Sequence, residues 1–168
     1  MTSKRRGFTL IELMITLAVL VILITLGAPS FNNLVLNQRV KTAASDVHSS
    51  LIFARSEAIK RNANVNIVRN GVSWLNGWSV RTTDAAPITL KTQDAIANLT
   101  VVPSSSESVI AFRRDGRLDT SGGNMPVPGF VFSVSGNGDI VARCIGVDPS
   151  GRASVKVDPN DDASDGCN

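Results

Sequence analysis

The chain has 168 residues, 43% hydrophobic and 18% charged, with one histidine, two cysteines and a formal charge of +3. That length is enough for one membrane anchor plus one modest domain. With His48 as sole histidine and no phosphate loop, paired catalytic carboxylates or metal-ligand spacing, the composition points away from an enzyme and implies no cofactor.

Lys4, Arg5 and Arg6 open the chain with no acid nearby. Phe8 to Ala28 then forms an almost unbroken apolar run of about 21 residues, a helix of about 31 Å, enough to cross a hydrocarbon core. The basic cluster keeps the short N-terminus cytoplasmic and places everything after Ala28 outside. A single acid, Glu12, sits inside the run. A charge at bilayer depth costs roughly 2.5 to 3.5 kcal/mol, so Glu12 is the first functional candidate. A simple secretory signal peptide fits less well. Its apolar core is usually ~7 to 15 residues long, Glu12 interrupts the start of this one, and Pro29 directly follows the small-residue exit Leu26-Gly27-Ala28. An ordinary uncleaved anchor is the other bland reading.

Gly7-Phe8-Thr9-Leu10-Ile11-Glu12 resembles the class III signal of type IV pilins and type II secretion pseudopilins. The resemblance implies a leader of residues 1–7, cut between Gly7 and Phe8 by a prepilin peptidase that then methylates Phe8. It places Glu12 at the fifth mature position, where the family carries a glutamate, and Pro29, with Gly27 beside it, where pilins carry a helix-kinking proline. It also implies a single-pass inner-membrane protein with a periplasmic C-terminal domain that later enters a pilus or pseudopilus. Its partners would be other major and minor pilins, the peptidase and inner-membrane lipid.

The physical logic of that arrangement is independent of the family. A cut after Gly7 leaves an amine near Glu12, and opposite charges in a low dielectric offset their burial only at close range. In a bundle of related helices the amine of one subunit meets the carboxylate of another, and Glu12 sets the axial register. An intramolecular role through the helix dipole remains open. Lys4, Arg5 and Arg6 are three of the 17 bases, so the cut leaves 14 bases against 14 acids. The basic isoelectric point near 9.2 thus belongs to the leader.

Residues 29–61 read as an amphipathic continuation. Val40, Ala43, Ala44, Val47, Leu51, Ala54 and Ala58 recur at spacings of three and four, with Arg39, Lys41, Ser45, Asp46, Ser49, Arg55 and Glu57 largely elsewhere. His48 reads as an exposed polar residue of this helix. The alanine-rich stripe lets a sheet approach closely. Asn62, Asn64 and Asn66 break the helical preference.

Residues 62–168 read as β. Val65 to Val68 begins strand-like alternation, and Asn76-Gly77 marks a tight turn into Trp78 to Thr82. Further strands are expected at Ile88–Lys91, Leu99–Val102, Val109–Phe112, Phe130–Val134, Ile140–Ile145 and Ala153–Val157, with turns at Asp115-Gly116 and Pro149-Ser150-Gly151. The expected fold class is α+β and pilin-like. A long N-terminal helix, transmembrane over 8–28 and amphipathic over 29–61, packs on an antiparallel sheet or small β-sandwich.

Phe53-Ala54-Arg55-Ser56-Glu57-Ala58-Ile59-Lys60-Arg61, with the Asp115-Gly116 and Ser150-Gly151-Arg152 turns, resembles one branch of that superfamily. The branch contains the H pseudopilin of type II secretion and the FimT and FimU minor pilins, thought to act in a low-copy tip or priming complex. On physics alone the helical segment is a solvated face beside an alanine stripe.

Cys144 and Cys167 both lie outside the membrane in the expected orientation, where oxidising conditions favour a disulfide. It would close a loop of about 22 intervening residues, worth roughly 3 kcal/mol on the chain-entropy model. Asp158, Asn160, Asp161, Asp162, Ser164 and Asp165 resemble a calcium loop only loosely, without its spacing or closing glutamate. DNA-binding FimT-like pilins carry Gly-Arg-x-Arg. Here Gly151-Arg152-Ala153-Ser154 lacks the second arginine, although Lys156 follows, and Arg113, Arg114 and Arg117 would add a patch if folded close by. The expected function is a minor type IV pilin that primes or caps a pilus, serving fimbrial biogenesis, twitching motility and adhesion. The alternatives are the H pseudopilin of type II secretion and a DNA-binding minor pilin for DNA uptake.

Overall fold

The computed structural model describes residues 7–103, 108–120, 129–135 and 139–158 and, for residues 26–30, the backbone alone. One helix, α1 (Leu10–Arg61, 52 residues), crosses the boundary between two compact units, Met1–Val35 and Leu36–Asn168.

In the first unit, Thr9 caps the helix. Its Oγ1 accepts the Glu12 backbone N–H at 3.3 Å, and its carbonyl accepts Leu13 N–H at 3.2 Å. The large apolar side chains from Leu10 to Ile24 are all at least 50% exposed. Among the described residues no helix is long and apolar enough to cross a membrane. Gly27 and Pro29 fall within the helical backbone.

In the second unit the stripe read from the sequence is the core face of the helix. Val40, Ala43, Ala44, Val47, Leu51, Ala54 and Ala58 are all 4% exposed or less. The helix ends in a Schellman motif: Asn62 takes a φ of 49°, Asn62 N–H bonds Ile59 O, and Ala63 N–H bonds Ala58 O, each at 3.2 Å. Asparagine tolerates that left-handed position better than most residues.

Among the described residues eight strands follow: β1 (Val65–Arg69), β2 (Trp78–Thr82), β3 (Thr89–Gln93), β4 (Thr100–Pro103), β5 (Val109–Phe112), β6 (Gly129–Ser133), β7 (Arg143–Val147) and β8 (Ala153–Val157). They form two four-stranded sheets, ordered β3-β2-β1-β5 and β4-β6-β7-β8, with every neighbouring pair antiparallel. Alternation sends Val65, Ile67, Trp78, Val80, Ile110 and Phe112 from the first sheet into the core the helix stripe fills. Phe130, Phe132, Ile145 and Val147 enter it from the second. Burying each such side chain contributes about 1.5 to 3 kcal/mol. Val131, Ala142 and Cys144 form a smaller buried cluster of their own.

The β1–β2 connection enters β2 sharply at Gly77, in line with the Asn76-Gly77 signal, but does so through a helical turn. Ser73 opens a short 3-10 helix, Trp74–Asn76, with a reciprocal cap: Ser73 Oγ accepts Leu75 N–H at 3.2 Å, and Asn76 Oδ1 accepts Ser73 N–H at 3.0 Å. Gly77 (φ 87°) then passes so near β3 that a Cβ there would lie 2.2 Å from the Gln93 carbonyl oxygen. Asn76-Gly77 thus closes a helical turn. The reward is Trp74, which packs edge-on to Phe130 of β6 at 4.9 Å and reaches Trp78 of β2 at 6.5 Å, joining the sheets. Ile140 is a second departure: buried at 2% exposure, it precedes β7, which starts at Arg143.

Candidate functional site

The first candidate is the opening turn of α1. Phe8 precedes the helix and is 74% exposed, and no atom lies within 4 Å of the position a Gly7 Cβ would take. From Leu10 to Thr25 the polar residues are Glu12, Thr16 and Thr25. Both threonines are satisfied within the helix, Thr16 Oγ1 donating to Leu13 O at 2.8 Å and Thr25 Oγ1 to Ile22 O at 2.9 Å. Glu12 uses its backbone N–H on Thr9, while its carboxylate makes no hydrogen bond or ion pair among the described residues. A carboxylate alone in an apolar helix surface can recruit a cation from outside its own chain. Thr9 was missed in the sequence, although Thr-x-x-Glu before an apolar run is a capping signature.

The second candidate is a junction at the far end of α1. The turns Arg113–Arg117 and Asp148–Arg152 share one hydrogen-bond pattern: the first residue's N–H bonds the fifth's carbonyl, and the fourth residue's N–H bonds the first's carbonyl. The fourth residue is Gly116 in one and Gly151 in the other, both with φ 79°. The glycines touch. A Cβ on Gly151 would lie 2.1 Å from Gly116 O, and one on Gly116 would lie 2.6 Å from Ile59 Cδ1 and 3.3 Å from Arg55 Nε. Leu118 N–H also reaches Pro149 O at 3.3 Å. The three segments that carry the branch resemblance, about 60 and 35 residues apart along the chain, therefore meet in space. Asn64, read in the sequence only as a helix breaker, pins the junction: its Oδ1 accepts Arg114 N–H at 3.1 Å.

Glu57 corrects the expectation of a solvated face. It is 8% exposed and pairs with Arg61 at 2.7 Å and Lys60 at 3.2 Å. The Arg61 hydrogen bond, then that of Lys60, holds its carboxyl below the ordinary range. The Ser150 hydroxyl, then the Arg152 N–H, does the same for Asp148. Arg113, Arg114, Arg117 and Arg152 are exposed on the two abutting turns. Lys156 is exposed on β8 in register with Cys144, so it faces away from the helix.

His48 is half-buried on the flank of α1 and lines a cleft, contrary to the reading as a fully exposed residue. Cys144 is buried on β7 and disulfide-bonded, and Cys167 lies outside the described residues. So does the acidic loop from Asn160 to Asp165, while Asp158 is buried with its N–H on Ala142 O. Among the described residues no group of three or more histidines, cysteines or acids could hold a metal.

The family model described as type II transport protein GspH matches residues 43–151, and that described as prokaryotic N-terminal methylation motif matches residues 2–28. Among solved structures the chain is similar to the type IV minor pilin FimU of Pseudomonas aeruginosa PAO1. The identity is 21% and the TM-score 0.60, over 78% of this chain and 96% of that one. It is also similar to the minor pseudopilin EpsH from the Type 2 Secretion System of Vibrio cholerae, with 10% identity and a TM-score of 0.56, over 71% and 97% of the two chains. At such identities the likeness is one of fold. No curated protein matches the chain. The family is one of structural pilin and pseudopilin subunits, and with the methylation motif it implies a membrane-anchored pilus or pseudopilus component that assembles with other pilins. The GspH match spans more than half of the sequence and contains the junction's glycine turns, so the chain belongs to the GspH family of pilin-fold proteins.

Proposed function

We propose that the protein is a minor pilin that primes assembly of, or sits at the tip of, a type IV pilus. In this reading the chain is cut between Gly7 and Phe8 and methylated on Phe8, and residues 8–28 hold it in the inner membrane with the domain in the periplasm. Gly27 and Pro29 let the helix bend. The observation that supports it most is the Glu12 carboxylate, unpartnered among the described residues on a helix surface of exposed apolar side chains. Removing the leader creates an amine, and the amine of a neighbouring subunit neutralises Glu12 at one axial register. Glu12→Val is expected to insert in membranes at the parent level and to vanish from sheared filaments. Parent-level recovery in filaments would overturn the assignment.

The description of the matched family favours a second reading, the H subunit of a secretion pseudopilus. Cross-linking the chain in cells and identifying the co-purifying pilins separates the two. The abutting arginine turns favour a narrower role, DNA contact through Arg113, Arg114, Arg117 and Arg152 with Lys156 nearby. A gel shift that weakens steeply with salt is its expected signature. No shift at low salt removes it.

A further inference from the structure

A cleft of about 280 Å³ lies between the flank of α1 and the β7–β8 edge of the second sheet, lined by Lys41, Ala44, Ser45, His48, Arg143 and Val155. Lys41, Ser45 and His48 follow one another at spacings of four and three, beside the buried Ala44. Arg143 shares the β7 face of Ile145 and Val147, the face that meets the core, which brings its side chain to the helix flank. One turn before Lys41, Asn37 Oδ1 accepts Val141 N–H at 3.2 Å and fixes the helix against the entry to β7.

The chemistry of the lining is one-sided. Lys41, His48 and Arg143 are donors or cations, Ser45 adds a hydroxyl, and among the described residues no acid lines the cleft. Among the described residues none of the three makes an ion pair or side-chain hydrogen bond. Arg143 Nε is buried without a hydrogen-bond partner. Arg55, Arg69 and Arg81 share that feature but do not line the cleft. Leaving such a donor unsatisfied costs about 1 to 3 kcal/mol, and an anion seated in the cleft would relieve that cost.

We infer that the cleft receives a carboxylate side chain carried on an extended segment of a partner subunit. A guanidinium edge pairs with a planar carboxylate through two parallel hydrogen bonds. Among the described residues β8 is the outer strand of its sheet and pairs with β7 alone, with half-exposed Val155 and Val157 on the face toward the helix. A peptide strand laid along that edge would gain main-chain hydrogen bonds and apolar contacts that a free anion cannot make. The site is separate from Glu12.

The test uses the full chain in detergent micelles and a fluorescent Val-Glu-Val-Glu-Val peptide, read by anisotropy. Saturable binding is expected, lost with the Gln-for-Glu peptide and weakened about tenfold by Arg143→Gln, the size of one charge-assisted pair. Arg152→Gln, outside the cleft, should change it less than about twofold. If Arg143→Gln melts early, the Lys41→Gln/His48→Gln double variant supplies the readout and should weaken binding by a similar factor. Equal binding of the two peptides overturns the inference. So does an unchanged affinity in both variants, displacement by equimolar inorganic phosphate, or tighter binding of single-stranded DNA through the same residues. Glu12→Val should bind the peptide as the parent does, so failure here and failure of the assembly role are separate results.

Discussion

From Leu10 to Ile24 the large apolar side chains of α1 are at least half exposed, whereas from Val40 to Ala58 the apolar stripe is 4% exposed or less. The backbone is the same helix throughout. The second half obeys the period of a helix resting on sheets, with small residues where a sheet comes close and charges on the flanks. The first half is apolar on all sides, which suits a medium without a preferred face, lipid or other helices. One element thus serves two solvents, and its polar residues are handled differently in each. In the first half the threonines bond their own helix and Glu12 is left over. In the second half Glu57 is buried beside two cations.

The contrast can be broken most sharply by matched truncations. Leu51→Ala, at a fully buried position, should destabilise the domain by about 2 to 5 kcal/mol in chemical denaturation. Leu20→Ala, half exposed, should shift the same transition by less than about 0.5 kcal/mol. Equal effects would mean the halves are not distinct. Reduction of the proposed Cys144–Cys167 bridge should cost about 3 kcal/mol in the domain alone, and mass spectrometry of periplasmic material should find no free thiol. Gly151→Ala should cost about 2 to 3 kcal/mol, because a Cβ would meet the Gly116 carbonyl at 2.1 Å on a backbone of φ 79°. The smallest effect is electrostatic. Glu57 is held below its ordinary range in the folded chain, so its contribution is present above the unfolded value and is lost as pH falls through the folded one. The difference in melting temperature between the parent and Glu57→Gln should therefore shrink in acid.

Local patterns made most of the architecture legible. The seven stripe residues and the strand alternation depend on neighbours a few positions apart; the stripe falls where its spacing placed it, and the strands do so within a few residues, β7 starting at Arg143 rather than Ile140. Asn76-Gly77 marked the sharp entry but not its form, because the dipeptide fits a two-residue hairpin and a helical C-terminus equally well, and the deciding partner, Gln93, lies in another strand. Glu57 and His48 misled for a related reason. Both sit on the helix flank, where only the positions of distant turns and strands decide whether water reaches them. The cleft was invisible for the same cause: Lys41 and Arg143 are about 100 residues apart. Glu12 was legible at once, because an acid in an apolar run is conspicuous without any tertiary knowledge.

Helical structure begins at Leu10, leaving Gly7 to Thr9 outside the helix, and Thr9 caps the first turn with its own side chain. Both capping contacts, to Glu12 N–H and Leu13 N–H, are made by Thr9 itself. In the proposed maturation, the timetable of the protein is consequently free: severing the chain at Gly7 neither unwinds the helix nor waits for the domain to fold. In that scheme the cut changes the charge at one terminus while the Thr9 contacts that start the helix stay on the mature side of it.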